Sequence, residues 1–293
     1  MTTPDLLRPV LVGGTGRSGS TIVGHLLDHH PELTLTRPME VRFIAGTDGL
    51  ADALAVAVTT PRSQKAASAA ALAVDRLRNR WFQRAEHVGL HESMSIAEVT
   101  DWSDEYLAMF EDDPNGSTRL LTHRIMQRIA ERLGAARLVD TTPANARKAD
   151  LLEPIYPDSQ VVVVTRDGRD VSASFVSQTF GPDDVFEALD QWGRRMQRSH
   201  HAVLASRPGR VLSVELMDLV VRDRAGTLEQ LCAFLGVPVD DSLVQWFDEN
   251  VTAAGMHPGR WRRDFDEDTC RRIDERYAAI CARLQAKGVP LPE

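Results

Sequence analysis

Between Pro9 and Thr21 the chain reads Pro-Val-Leu-Val-Gly-Gly-Thr-Gly-Arg-Ser-Gly-Ser-Thr. Glycines at 13, 14, 16 and 19 let backbone amides approach an anion, and a helix starting directly afterwards adds the positive end of its dipole. Arg17 sets a guanidinium in the middle of the turn, and Ser18, Ser20 and Thr21 add hydroxyl donors. Residues of these types in this order suit a phosphate-like group. Gly14 and Gly19 have the spacing of the nucleotide triphosphatase loop, but Ser20 stands where that motif needs lysine. The loop is therefore expected to hold its anion with Arg17 rather than with a lysine–magnesium pair. A glycine-rich turn without a ligand is the plainer alternative.

A second turn of the same kind follows the run Gln160–Thr165: Arg166-Asp-Gly-Arg-Asp170, then a helix from Val171. Ser174 falls two turns into that helix, so Arg166 and Ser174 can converge on one phosphate, with the arginine fork fixing it. An ion pair from Arg166 to Asp167 or Asp170 would serve structure alone.

These turns need strands behind them and helices after them. Val10–Val12 reads as a buried strand, and the four valines of 160–165 as a strand covered on both faces, as in a parallel sheet. Further short strands are expected at Leu33–Thr36, Arg137–Asp140 and Arg210–Val214. Helical patterns cover Ser20–His30, Ala144–Tyr156, Val171–Gln178, Pro182–Ser206, Ala225–Leu235, Ser242–Asn250 and Glu267–Ala286. A helical stretch from about 48 to 136 (Ala51–Val58, Gln64–Glu86, Ile96–Phe110, Arg119–Leu133, with a turn at Asp112–Gly116) interrupts the alternation. The expectation is a three-layer α/β/α fold with a central parallel sheet, one domain over 1–293. The 48–136 insertion is expected to cap the site, with plain helical packing as the alternative.

Composition limits the partners. The chain has 293 residues, 43% hydrophobic and 26% charged, with a net charge of −8, so general nucleic-acid binding is not expected. Arginine outnumbers lysine 31 to 3, so any anion site is built of guanidinium forks. No apolar run approaches the ~18 residues of a membrane span, and the first residues lack the basic-then-apolar pattern of a signal peptide. Cys232, Cys270 and Cys281 read as free thiols in a reducing, cytoplasmic setting. No Cys/His cluster has zinc spacing.

Three blocks together resemble the sulfotransferases that use 3′-phosphoadenosine 5′-phosphosulfate, within them most closely the tyrosylprotein and heparan-type enzymes and their bacterial relatives. Gly14–Thr21 is similar to the family's 5′-phosphosulfate loop. Val161–Ser174 is similar to its 3′-phosphate strand and helix, with Arg166 and Ser174 on the two contact positions. Gly259-Arg260-Trp261-Arg262 resembles the late loop that closes over the nucleotide. Val214–Asp218 and Phe234–Pro238 also match the family's usual path. The resemblance covers residues 9–47 and 137–285 and leaves the insertion unread.

The resemblance implies a P-loop-like sulfotransferase fold, 3′-phosphoadenosine 5′-phosphosulfate as donor, adenosine 3′,5′-bisphosphate as product, and no metal. Gly16, Arg17, Ser18, Gly19, Ser20 and Thr21 would hold the phosphosulfate. Arg166 and Ser174 would hold the 3′-phosphate, with Trp261 over the nucleotide and Arg260 touching phosphate. Arg17 would steady the leaving phosphate, and Glu40, with Arg42 beside it, matches the family's general base. One position departs: Thr141, in Asp140-Thr-Thr-Pro143, stands where the relatives carry a catalytic lysine. His123 shares its residue type with the histidine base of cytosolic sulfotransferases, but it sits mid-pattern on an expected helix.

The acceptor is expected to be a hydroxyl of a small metabolite, lipid or glycan rather than a protein tyrosine. Two other readings stay open on sequence. A P-loop-type nucleotide or small-molecule kinase would need a magnesium ligand, for which Asp140 is the best candidate. A non-catalytic nucleotide-binding module would bind adenosine 3′,5′-bisphosphate without needing Glu40.

Overall fold

The computed structural model describes residues 8–86 and 88–292. The chain runs β1 (Val10–Gly14), α1 (Ser20–Asp28), β2 (Thr34–Leu35), α2 (Leu50–Thr59), α3 (Gln64–Arg76), α4 (Ile96–Phe110), α5 (Pro114–Leu133), β3 (Leu138–Asp140), α6 (Ala149–Leu152) and β4 (Gln160–Thr165). It continues through α7 (Gly168–Val176), α8 (Val185–Ala205), β5 (Val211–Glu215), α9 (Arg224–Leu235), α10 (Asp241–Asn250), α11 (Ala253–Met256), α12 (Trp261–Asp264) and α13 (Glu267–Gln285). The strands form one sheet in the order β2-β3-β1-β4-β5, and every pairing is parallel.

Alternation along the strands explains the layers. Val10, Val12, Val162 and Val164 face one way, into a core with Val23, Leu26 and Leu27 of α1, Leu231 of α9 and Phe247 of α10. Leu11, Val161 and Val163 face the other way, into a core with α2 to α6. Both faces are apolar because both are covered by helices, which is what a parallel sheet requires. The expected three-layer architecture is the one observed. A third cluster joins α7, α8 and α13 around Trp192 and Trp261.

The sheet order reverses at β1, whose neighbours β3 and β4 come much later in the chain. Ligands of open α/β sheets bind at such a switch, beyond the carboxyl ends of the strands. The loops after β1, β3 and β4 all emerge there.

Local differences from the sequence expectations have local causes. The turn expected at Asp112–Gly116 is shorter, because Pro114 is the first residue of α5 and Asp113 caps it, accepting from Gly116 N at 2.8 Å. The helix expected over Gln64–Glu86 ends as α-helix at Arg76 and widens into one π turn, Leu77–Trp81. The helix expected over Ala144–Tyr156 is a 3₁₀ segment, Pro143–Lys148, followed by the single turn of α6. The loop expected at 252–263 contains the one-turn helices α11 and α12.

Candidate active site

The loop after β1 is shaped by close approaches. A Cβ on Gly13 would lie 2.2 Å from Ala146 N, and one on Gly14 would lie 2.6 Å from Val164 O. These two glycines let β1 press against the 143–148 turn and β4. Beyond them Gly16, Arg17 and Gly19 have φ of 80°, 56° and 106°, a left-handed run that curls the backbone around a concavity. Then α1 begins at Gly19 without a side-chain cap, which leaves its first-turn amides to an outside acceptor. Ser18 is buried and its Oγ has no partner among the described residues.

The two anion turns meet through their side chains. Arg17 Nε donates to Ser174 Oγ at 3.0 Å. Arg166 is buried at the end of β4, donating from Nη2 to Met256 O at 2.7 Å and from Nη1 to Arg17 O at 3.4 Å. Burial lowers its pKa, and Asp170, 3.6 Å from Nη2, works against that shift. The Asp170 ion pair considered on sequence is therefore present, but it does not exhaust the guanidinium. Asp170 also accepts from Gly259 N at 2.9 Å and Trp261 N at 3.4 Å. One acid thus ties the late loop to the second turn. Sequence reading did not assign Asp170 that role.

Glu40 and Arg42 follow β2. Glu40 Oε2 accepts from Arg42 Nε at 2.7 Å, and Arg84 Nη1 donates to Glu40 O at 3.2 Å. The segment is held from below by the end of β3. Asp140 is fully buried and accepts from Val41 N (2.9 Å), Thr142 Oγ1 (2.8 Å), Asn145 Nδ2 (2.8 Å) and Thr142 N (3.2 Å). Burial raises its pKa against the pull of those four donors. Both carboxylate oxygens are engaged, so the magnesium ligand that a kinase reading would ask of Asp140 is instead a structural clamp on the Glu40 segment. Thr141 Oγ1 donates to Met39 O at 2.9 Å, so it adds to the same clamp. Asp140→Ala is expected to cost about 3 kcal/mol, because buried donors lose a charged acceptor. A lower midpoint in urea with an unchanged slope would check it; an unchanged midpoint would contradict the clamp.

These loops enclose a cavity of about 780 Å³. Gly16, Arg17, Gly19, Ser20, Thr21, Glu40, Arg42, Arg166, Ser174 and Arg260 line it, so ten of the twelve candidate residues come together from four separate stretches. Ser18 and Trp261 do not line it. Ser18 lies beneath the loop. Trp261 is 2% exposed in the α7–α8–α13 core, with the guanidiniums of Arg169 and Arg262 over its ring, so in this structure it supports the late loop from behind instead of covering the nucleotide space. Arg260 is paired with Asp264 at 2.8 Å. His123 sits outside the cavity, stacked on Tyr156 and 3.2 Å from Ile155 O, and burial lowers its pKa. No described residue between 48 and 136 lines the cavity; the insertion packs on the sheet face.

The cavity also holds residues that sequence reading missed: Arg147 from the 3₁₀ segment, and Glu187, Gln191 and Arg195 from α8. The last three recur every fourth residue and so form one helix face, a signal visible in the sequence only once α8 is known to flank the loop. Arg195 Nη1 donates to Thr15 O at 2.5 Å, and its guanidinium lies 5.1 Å from the Phe175 ring centroid.

A parallel sheet, a glycine-rich, lysine-free loop at its switch point and an arginine-lined cavity define a class of α/β protein whose site suits an anionic ligand. Within that class the chain belongs to the Sulfotransferase family, whose sequence profile matches residues 9–241. Its chemistry is sulfuryl transfer. No curated protein matches the sequence. Among solved structures it is similar to the sulfotransferase domain from the curacin biosynthetic pathway, with 16% identity, TM-score 0.56 and all of both chains covered. It is also similar to sulfotransferase STF9 from Mycobacterium avium, with 14% identity, TM-score 0.50, and 97% of this chain and 78% of that one covered. At these identities the likeness is one of fold.

Proposed function

We propose that this protein transfers a sulfuryl group from 3′-phosphoadenosine 5′-phosphosulfate to a hydroxyl of a small metabolite, lipid or glycan. The observation that carries this reading is the meeting of the two anion turns at the switch point, where Arg17 reaches Ser174 and Arg166 reaches the carbonyl of Arg17. A donor with a phosphosulfate at one end and a 3′-phosphate at the other needs two linked anion cradles at one site. The uncapped start of α1 fits such a group as well.

The donor supplies a sulfuryl group whose bond to the 5′-phosphate oxygen breaks as the acceptor oxygen bonds to sulfur. The chain's residues do the rest. Arg17, with the loop amides, neutralises charge building on the leaving phosphate. Glu40 takes the proton of the acceptor hydroxyl, and Arg42 holds the Glu40 carboxylate in place. Arg166, Ser174 and Arg260 anchor the 3′-phosphate, which fixes the in-line geometry.

Calorimetric titration tests the donor. Adenosine 3′,5′-bisphosphate is expected to bind without added magnesium and far more tightly than adenosine 5′-monophosphate. Arg166→Ala should erase most of that difference, a loss of about 1.5–3 kcal/mol for a charged hydrogen bond. Equal affinity for the two nucleotides, or preference for ATP with magnesium, would overturn the donor assignment.

A further inference from the structure

The cavity wall holds more positive charge than this donor uses. Arg17, Arg166 and Arg260 face the nucleotide in the reading above, and Arg42 is matched by Glu40. Two arginines remain, Arg147 and Arg195. Arg195 is engaged by Thr15 O and the Phe175 ring. Arg147 is half-buried and forms no hydrogen bond or ion pair among the described residues. Asp52, the acid whose charge acts on it, is taken by Lys148 Nζ at 2.6 Å. Neither acid of the cavity wall serves it, since Glu40 pairs with Arg42 and Glu187 forms no ion pair among the described residues.

Arg147 is also crowded by its own sign. Burial and then the Arg147 charge push the Arg195 guanidinium down to about 10. Arg147 itself is lowered by burial and by Arg198, with Asp52 only partly compensating. An arginine kept in a pocket wall without a counter-charge costs folding free energy. A bound anion would remove that cost. Arg147 follows the Thr142-Pro143-Ala144 wall and lines the same cavity as Glu40. It is not among the residues that the reading above gives to the nucleotide, which leaves it for the acceptor.

We propose that the acceptor carries, besides the hydroxyl that receives sulfur, a carboxylate or phosphate group that Arg147 grips with its guanidinium fork. Arg147 is then a specificity residue for an anionic small molecule. The proposal rests on the sulfuryl-transfer reading and narrows its acceptor class.

The test uses protein saturated with adenosine 3′,5′-bisphosphate and titrates inorganic phosphate into it, comparing wild type, Arg147→Met and Arg147→Lys. Wild type is expected to bind phosphate, Arg147→Met at least about tenfold more weakly, as for a lost charged hydrogen bond, and Arg147→Lys in between because charge remains but the fork does not. Nucleotide affinity should be the same in all three. Absence of phosphate binding in wild type, or equal binding in Arg147→Met, overturns the anionic acceptor. A parallel fall in nucleotide affinity in Arg147→Met also overturns it, by assigning Arg147 to the donor. Failure of wild type to bind the nucleotide would remove the donor reading itself and is seen before any phosphate is added. If Arg147→Met does not fold, Arg147→Lys alone decides, since undiminished phosphate binding there contradicts recognition by the fork. An acceptor screen with matched alcohols, carboxylates and phosphate monoesters then separates the two oxyanions.

Discussion

Arg17→Ala is expected to lower sulfuryl transfer by roughly 10²–10³ while leaving the fold intact, by analogy with the removal of other preorganised donors to a developing charge. Arg17 is exposed at the cavity mouth, so its loss leaves no hole in the core. Its only side-chain hydrogen bond among the described residues goes to Ser174 Oγ. The backbone there has φ of 56°, which alanine tolerates no better than arginine, so the loop's shape cost is unchanged. The melting midpoint should therefore stay near that of wild type while release of adenosine 3′,5′-bisphosphate in the presence of acceptor collapses. Arg17→Lys should recover part of the rate, since the charge survives without the fork. Wild-type turnover in the alanine variant would end the assignment of this loop to the phosphosulfate.

Glu40→Gln separates a base from a structural acid. A proton acceptor contributes typically 10²–10⁴ in rate, so turnover is expected to fall by about that factor, with nucleotide affinity nearly unchanged. The geometry makes the prediction clean. The Glu40 side chain is 23% exposed and the Arg42 side chain 44% exposed, so water can solvate Arg42 once its partner is neutral, and the lost ion pair should be worth at most about 1 kcal/mol. The backbone of the segment is held independently, by Asp140 on Val41 N and Thr141 on Met39 O. A matched loss of affinity and turnover would show that Glu40 shapes the pocket instead of taking the proton. Unchanged turnover would remove Glu40 as the proton acceptor, and nucleotide binding without any turnover in the wild type would favour a non-catalytic nucleotide-binding module at this site.

The absence of lysine at position 141 acquires a physical sense in this arrangement. Thr141 lies against α1, where its Cγ2 would be 2.3 Å from a Cβ on Gly24, and its hydroxyl is spent on Met39 O. It supports the Glu40 segment from beneath and does not line the cavity. The positive charge of the wall comes instead from Arg17, Arg42, Arg147, Arg166, Arg195 and Arg260. All six are guanidiniums, in keeping with a chain that has 31 arginines and 3 lysines.

How much of this was legible in the sequence follows from the range of each interaction. The strands could be read because Val10–Val12 and Val161–Val164 are apolar at every position, and only a sheet covered on both faces needs that. The two anion turns could be read because glycine and arginine are local necessities. Gly13 and Gly14 permit backbone contacts that a Cβ would block, and Gly16 and Gly19 take positive φ. Glu40, Arg42 and Arg260 were found by resemblance, and the fold brings all three to the cavity.

What the sequence could not carry is anything set by contact between distant segments. Asp170 looked like part of a helix start, and only tertiary structure makes it the acceptor for Gly259 N and Trp261 N, about ninety residues on. Trp261 has the composition of a nucleotide cover, yet the packing of α7, α8 and α13 draws it into the core, because a large aromatic gains more from burial there than from a polar cavity wall. Arg147 carries no local motif at all. Its isolation is a property of its surroundings: Asp52 is given to Lys148, and no acid comes within ion-pairing distance of Arg147 among the described residues. The chain's local chemistry thus determined two strand-to-helix turns on a parallel sheet whose glycines and arginines suit an anion. Which charges are cancelled and which are left over was decided by the fold, since Coulomb pairing depends on distances in space that spacing in sequence does not contain.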